Sequence, residues 1–355
     1  MKHRIGYIGY GEMGSNYHYQ VASDRKDVCD DLAPVAVYEL RESQRSLAES
    51  RGLKAYDNIS EFLKSDEFDI VVVATANNFH CEMTCRALEA GKHVICEKPA
   101  AMNSSEFQKM VDTAEKTGKH LFIHQNRRFD VDFLNVKHAV ETGRLGKIER
   151  IESSFCGGTL LGWRAFKDHG GGILFDWGVH LIDQIVYLLK EPVVSVYASL
   201  RSQNNNEVDD NAIVEMTFKS GIKAVVTVSG TFLAPLPRFA VYGDMGTMWT
   251  DRLYDDKCTL RYSEKSDWQE QEAYVYDNNG VHVRNQILKD EDLKRVEYPD
   301  DGFTIGQDWA ALYKNMIDTI DGKDTMLVKH EEVMTVLKII EAAFESDRTG
   351  SIITL

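Results

Sequence analysis

Several things are scarce in this chain, and each scarcity removes a class of answer. Proline occurs six times in 355 residues, too rarely for the Pro-rich segments of linkers and extended stalks. The six cysteines, Cys29, Cys81, Cys85, Cys96, Cys156 and Cys258, form no CxxC pair and no zinc-ligand spacing. Neither a disulfide framework nor a metal is therefore expected, and free thiols suit a reducing, cytoplasmic setting. Cys81 and Cys85, one helical turn apart, read as small core residues. Positive charge is in deficit: 41 Lys+Arg against 56 Asp+Glu give a formal net charge of −15. Nucleic acid and anionic membrane surfaces reward clustered positive charge, so neither is expected as a partner. No segment is expected to span a membrane, because the longest apolar stretch, at 70–76, is far short of the roughly 20 residues required. The basic residues His3-Arg4 precede an apolar stretch that ends at Tyr10 and contains Gly6 and Gly9; it reads as a strand, not a secretion signal.

What is present is the composition of a globular protein, 43% hydrophobic and 27% charged, which excludes intrinsic disorder. The length suggests two domains and lets the chain bury about three quarters of its unfolded surface. The first third alternates short apolar runs (4–9, 34–39, 70–76, 93–97, 120–125) with amphipathic stretches (13–23, 42–51, 59–64, 80–90, 105–117). Continuous runs such as Ile70-Val71-Val72-Val73 suit strands covered on both faces, and the alternation predicts a parallel, doubly wound α/β sheet. After Asn126 the pattern changes. A helix at 131–142, a strand at 148–155 and a helix at 174–189 precede consecutive strands at 193–201, 212–219, 222–231 and 239–243, with a hairpin at Ser220-Gly221. Two helices (305–321, 331–347) and a short strand (351–355) close the chain. This predicts a first domain over residues 1–125 and a second α/β domain over 126–355 with a large, open, mostly antiparallel sheet. The last helices are free to pack back on the first domain.

Two stretches carry chemistry. Gly9-Tyr10-Gly11-Glu12-Met13-Gly14 matches GxGxxG after an apolar strand and before a helix. In that context the first glycine permits the turn, the second admits a pyrophosphate, and the third lets helix and strand pack closely, with helix amides facing the phosphates. Glu39 ends the second strand, 25 residues past Gly14, where an acid binds the adenosine ribose hydroxyls and disfavours a 2′-phosphate. NAD is expected over NADP, although Arg41 beside it keeps NADP open.

Glu97-Lys98-Pro99 ends the strand at 93–97. Neighbours in extended chain face opposite ways, so one of Glu97 and Lys98 enters the cleft at the carboxyl end of the sheet. Asp176, His180, Asp183 and Tyr187 share one helical stripe, opposite Leu181, Ile185, Leu188 and Leu189. That stripe is either the wet side of a surface helix or a catalytic face.

Together, Gly9–Gly14, Glu97-Lys98-Pro99 and Gly171-Gly172-x-x-x-Asp176-x-Gly178-x-His180 resemble the Gfo/Idh/MocA family over essentially the whole chain. The resemblance implies a Rossmann domain joined to an α/β domain whose open sheet often forms an oligomer interface, hence a homo-oligomer. It also implies that Thr75, Asn77 and His80 line the cofactor, with Ala76 where the family usually has proline. It places Asn126 and Arg127 by the nicotinamide, and Trp163 and Arg164 in the substrate pocket. The expected chemistry is oxidation of a secondary hydroxyl of a sugar-like substrate, with His180 as base, Lys98 on the reacting oxygen and Asp176 orienting the imidazole or holding a neighbouring hydroxyl; the Lys98 and His180 roles are exchangeable. Asp176, Asp183, Arg164 and Lys98 are the expected polyol ligands. Glucoside 3-oxidation is the leading expectation, and inositol oxidation the alternative. An NAD-using glycosidase and a non-catalytic binding protein on the same scaffold also remain open.

Overall fold

The structure, a computed structural model, describes residues 3–158, 160–204, 207–263, 274–276, 282–284, 293–304 and 306–355. Six strands, β1 (His3–Ile8), β2 (Leu32–Tyr38), β3 (Lys54–Tyr56), β4 (Ile70–Val73), β5 (His93–Cys96) and β6 (Leu121–Ile123), form a sheet in the order β3-β2-β1-β4-β5-β6. Every pairing in it is parallel. All four β4 residues are fully buried, as a strand covered on both faces requires. The order reverses direction between β1 and β4, which opens a crevice at their carboxyl ends. Helices α1 (Tyr19–Asp24), α2 (Glu42–Ser50), α3 (Ile59–Lys64), α4 (His80–Glu89) and α5 (Ser104–Thr117) make the crossovers. A wide π-helical turn, Met13–His18, leads into α1. The three-residue β3 carries no fully buried side chain, so hydrophobic patterning does not reveal it.

The second half begins with α6 (Val131–Glu141), β7 (Ile148–Cys156) and α7 (Val179–Leu189), followed by β8 (Val193–Arg201), β9 (Asn211–Phe218), β10 (Lys223–Ser229) and β11 (Phe239–Gly243). Next come β12 (Gly246–Thr250), β13 (Cys258–Tyr262), a separate β14 (Tyr274–Tyr276)–β15 (His282–Arg284) ribbon, and β16 (Lys294–Tyr298). Helices α8 (Ala310–Ile320) and α9 (His330–Thr349) and the edge strand β17 (Ile353–Thr354) complete it. The nine-stranded sheet runs β16-β13-β12-β11-β7-β10-β9-β8-β17. Its pairings are antiparallel except β7 with β10. The hairpin at Ser220-Gly221 joins β9 to β10, with Gly221 at φ +94°.

Two expectations need correction. The penultimate helix starts at Ala310 rather than 305, and Ile305 itself lies outside the described residues. Helix α7 is not a surface helix: nine of its residues, from Val179 to Leu188, are buried. Its polar stripe therefore faces the protein interior. One helical run among the described residues, Lys167–Leu189, does have the length and hydropathy of a membrane span; 78% of its most apolar window is buried inside the protein, as in a core helix.

Two hydrophobic cores result. The first surrounds the parallel sheet and includes Leu312, Tyr313 and Met316 of α8 with Val333 and Leu337 of α9. The second lies between the antiparallel sheet and helices α6, α7 and the later part of α9, including Val336, Ile339 and Ile340. A cleft runs between the lobes.

Candidate active site

The cleft holds a cavity of about 410 Å³. Its floor on the first lobe is the glycine turn. Gly9 sits at φ +88°, and a Cβ there would meet the Ala74 carbonyl oxygen at 2.6 Å. A Cβ on Gly14 would meet the Gly9 carbonyl oxygen at 2.4 Å. Both positions exclude side chains for steric reasons. Gly11, by contrast, borders the cavity, and its nearest neighbour would be the Arg41 guanidinium at 3.5 Å. A side chain there would occupy space that a dinucleotide needs, so the turn fits the pyrophosphate role. Glu12 and Met13 line the same end of the cavity.

Glu39 departs from expectation. Its carboxylate is 7% exposed and already accepts four hydrogen bonds. They come from the Tyr10 amide (2.9 Å), the Arg41 amide (3.0 Å), and Arg41 Nε (3.1 Å) and Nη2 (3.0 Å). Burial works to raise its pKa, and the Arg41 side chain with these two amides more than offsets that, leaving it lowered. A ribose diol must therefore share this acid with Arg41. The acid-or-arginine choice that bears on NAD against NADP is a single ion pair.

Above the turn, Thr75, Asn77 and His80 line the cavity. Each is also a structural tie. Thr75 Oγ1 donates to the Ala76 carbonyl (3.1 Å), and Asn77 Nδ2 donates to the Gly170 carbonyl of the other lobe (2.7 Å). His80 Nδ1 lies 2.7 Å from the Pro99 carbonyl, and its Nε2 lies 3.2 Å from the Thr75 carbonyl.

Alternation at the end of β5 sends Glu97 and Lys98 opposite ways, as extended chain requires. Glu97 turns inward. One of its oxygens accepts from His18 Nε2 and from His124 Nδ1, each at 2.8 Å, and His18 Nδ1 meets the Tyr313 hydroxyl of α8 at 2.5 Å. Burial opposes its charge, but the two imidazoles hold its pKa well below the usual carboxylate range. The three ligand-type atoms lie within 4.8 Å of one another, a grouping hidden in the sequence by separations of 79 and 27 residues. Glu97 thus braces the floor from behind and still reaches the cavity wall.

Lys98 turns into the cleft. Its ammonium donates to the Asp176 carbonyl (2.7 Å) and to Asp176 Oδ1 (3.0 Å). Arg164 Nε donates to the same Oδ1 (3.1 Å). Burial would raise the Asp176 pKa; Lys98 and Arg164 outweigh it and hold it low. An ammonium has three N–H donors, so one remains for a ligand. One turn along, His180 lines the cavity, 4% exposed, with Nδ1 buried and unpartnered. Burial, then the positive charges of Lys98 and Arg127, push its pKa well below 6.5. A neutral imidazole therefore faces the cavity at pH 7.

Asn126, Arg127, Trp163 and Arg164 also line the cavity, as do Trp177 and Trp309. Arg127 lies 4.2 Å over the Trp177 ring and donates to Asp130 (3.1 Å) and to the Tyr254 hydroxyl (2.8 Å). Tyr254 adopts φ +66°, rare for a residue with a side chain. Trp309 Nε1 donates to Asp130 (2.8 Å). Trp177, Trp309 and Tyr254 escape sequence reading. Trp177 stands inside the Asp176–His180 motif, but Trp309 and Tyr254 belong to no pattern.

Asp183 is not a polyol ligand. It is 1% exposed and accepts from Arg128 Nε (2.8 Å) and Nη2 (2.7 Å), while Tyr187 lies under the same guanidinium at 4.2 Å. The stripe is shared, but the cleft ends one turn above it.

Residues 3–125 match the oxidoreductase family with an NAD-binding Rossmann fold, and residues 133–249 match the GFO/IDH/MocA C-terminal domain. The chain is similar to myo-inositol 2-dehydrogenase of Thermotoga maritima, 31% identical over 72% of this chain and 78% of that protein. It is also similar to D-glucoside 3-dehydrogenase of Escherichia coli, 28% identical over 99% and 97%. A solved NAD-binding protein from Listeria innocua superposes with a TM-score of 0.86 at 34% identity, covering 100% of this chain and 97% of that one. A parallel sheet with a glycine-turn cleft, a second lobe with a mostly antiparallel sheet whose loops and helix α7 close that cleft, and these matches across both halves lead to one conclusion: the chain belongs to the Gfo/Idh/MocA family of oxidoreductases, whose first domain binds NAD.

Proposed function

We propose that this protein oxidises a secondary hydroxyl of a sugar-like substrate, with C3 of a glucoside as the leading choice. The observation that carries this reading is the meeting of Lys98 and a neutral His180 in one cavity beside the glycine turn. Bound NAD supplies a hydride acceptor. Gly9, Gly11, Glu12, Met13 and Gly14 cradle its phosphates, Glu39 with Arg41 meets its adenosine end, and Thr75, Asn77, His80, Asn126 and Arg127 wall the nicotinamide end. Glu97 serves as their brace rather than as a direct ligand.

His180 takes the hydroxyl proton. It is the better base of the two, because burial and two nearby cations disfavour imidazolium, while Lys98 already bonds Asp176. Lys98 uses its remaining N–H to hold the reacting oxygen and stabilise alkoxide charge as the C–H bond breaks. Asp176 fixes Lys98 and Arg164 through Oδ1 and leaves Oδ2 for a neighbouring hydroxyl. Trp163 offers a flat apolar wall for a ring.

Inositol oxidation is the second reading, favoured by the 31% identity to an inositol dehydrogenase. The division at residues 125/126 serves this chemistry by placing cofactor and base on separate lobes. We also infer a reducing, cytoplasmic location from the six free cysteines, and a homo-oligomer formed through the open sheet face, where Tyr197, Ile213 and Tyr242 are exposed. The test is NADH formation, followed by absorbance, with O- and C-glucosides, hexoses and inositols, and mass spectrometry to place the new ketone. Released aglycone without net NADH would replace this reading with a glycosidase one.

A further inference from the structure

The donors and acceptors that face the cavity do not balance. Three fixed cations reach it: Lys98, Arg127 and Arg164. Among the described residues its carboxylates are Asp176, Glu97 and Glu12. Asp176 is shared by Lys98 and Arg164 through one oxygen, Glu97 is turned to its two imidazoles, and Glu12 lies at the phosphate turn. Asp176 Oδ2, the His180 ring and the side-chain oxygens of Asn126 and Thr75 remain as acceptors for hydroxyls.

The donors exceed that need. Arg164 spends only Nε on Asp176. Its Nη1 and Nη2 make no hydrogen bond among the described residues, and the guanidinium lies 4.6 Å over the Trp163 ring, which holds its plane. A neutral polyol can use those acceptors, but it leaves the Arg164 fork without an oxygen pair that matches it. A planar guanidinium fork with two open N–H pairs matches the two oxygens of a carboxylate or a phosphate ester.

We propose that the substrate carries an anionic group, a carboxylate or a phosphate ester, held by the Arg164 fork while its reacting hydroxyl lies between His180 and Lys98. This deepens the redox reading above and rests on it for the position of the hydroxyl. No charge is transferred to the anion; it is a handle that orients the ring, with the Arg164 guanidinium supplying its counter-charge.

The experiment compares matched pairs: methyl β-D-glucuronide with methyl β-D-glucoside, and an inositol monophosphate with the parent inositol. Affinity for the protein–NADH complex is measured by calorimetry and by ligand-induced thermal shift. In parallel, kcat/KM is measured with NAD. The anionic member of at least one pair should bind about ten- to hundredfold more tightly, the range of a charge-assisted hydrogen-bonded contact. Which pair shows the gain separates carboxylate from phosphate. Arg164→Met, which keeps an apolar side chain against Trp163, should bring the ratio of anionic to neutral affinity close to one, and Arg164→Lys should restore part of it. Equal affinities in both pairs for the unmodified protein, or a preference that persists in Arg164→Met, would overturn the inference. Should Arg164→Met not fold, the ratio in the unmodified protein and in Arg164→Lys decides. Binding preference without turnover of any alcohol would instead strike the redox reading alone.

Discussion

Two carboxylates on one helical stripe have opposite fates. Asp176 stands at the cleft, bonded on one oxygen by two cations of different segments and open on the other. Asp183, two turns further on, is enclosed, and both of its oxygens are taken by the Arg128 guanidinium, which also reaches Glu332 (2.7 Å). Arg127 and Arg128 repeat the contrast one residue apart: the first enters the cavity, the second the core. Spacing puts all four near the site. What separates function from structure here is whether any hydrogen-bonding capacity is left over. An uncommitted donor or acceptor at a cleft can act on a ligand, and a saturated one holds the fold.

His180 gives the strongest test of the open side. His180→Ala should cut turnover by about 10²–10⁴-fold, the worth of a positioned general base, while NADH still binds by fluorescence titration. Near-normal turnover would remove His180 from the proposed role. The two aspartates come next. Asp176→Asn should lower kcat on the order of 100-fold through a misplaced Lys98 with little change in melting temperature. Asp183→Ala should leave Arg128 buried without its main partner and destabilise the protein by about 3–5 kcal/mol in denaturant unfolding. Swapped outcomes would break the comparison.

The smallest effect is one of pH. The base must be neutral, and burial together with Lys98 and Arg127 disfavours its protonated form. The acid limb of kcat/KM should therefore fall below pH 6.5, with activity flat above it. Arg127→Met removes one of those cations and should move the limb upward. A limb already above 6.5 in the unmodified protein would contradict the proposed environment of His180.

Much of this could be read from residue order, for identifiable reasons. The parallel sheet announces itself through runs such as 70–73, where burial on both faces leaves no polar position. Lys98 follows from alternation, and the glycine turn from its place between strand and helix. Other features depend on contacts distant in sequence. The His18–Glu97 contact and the grip of Tyr254 on Arg127 span 79 and 127 residues. The saturation of Glu39 comes from Arg41 folding back on it. Strands β12, β13 and β16 share a sheet with β7 and β11, but their own sequence alternates too weakly to reveal them. The interior position of α7 was masked by its polar stripe, because ion pairs and the cleft, not bulk water, receive those side chains.

Helix α9 has a consequence for how the molecule moves. Its first turns belong to the core of the parallel lobe, through Val333 and Leu337, and its later turns to the core of the other, through Ile339, Ile340 and Ala343. One continuous rod of 20 residues thus acts as an axle shared by both bodies, and α8 is fastened to the first by Leu312, Tyr313 and Met316. Any opening of the jaws has to pivot about that axle. Cutting the chain after residue 125 would also remove α8 and the first turns of α9 and expose the apolar surface of the nucleotide-binding half that they cover.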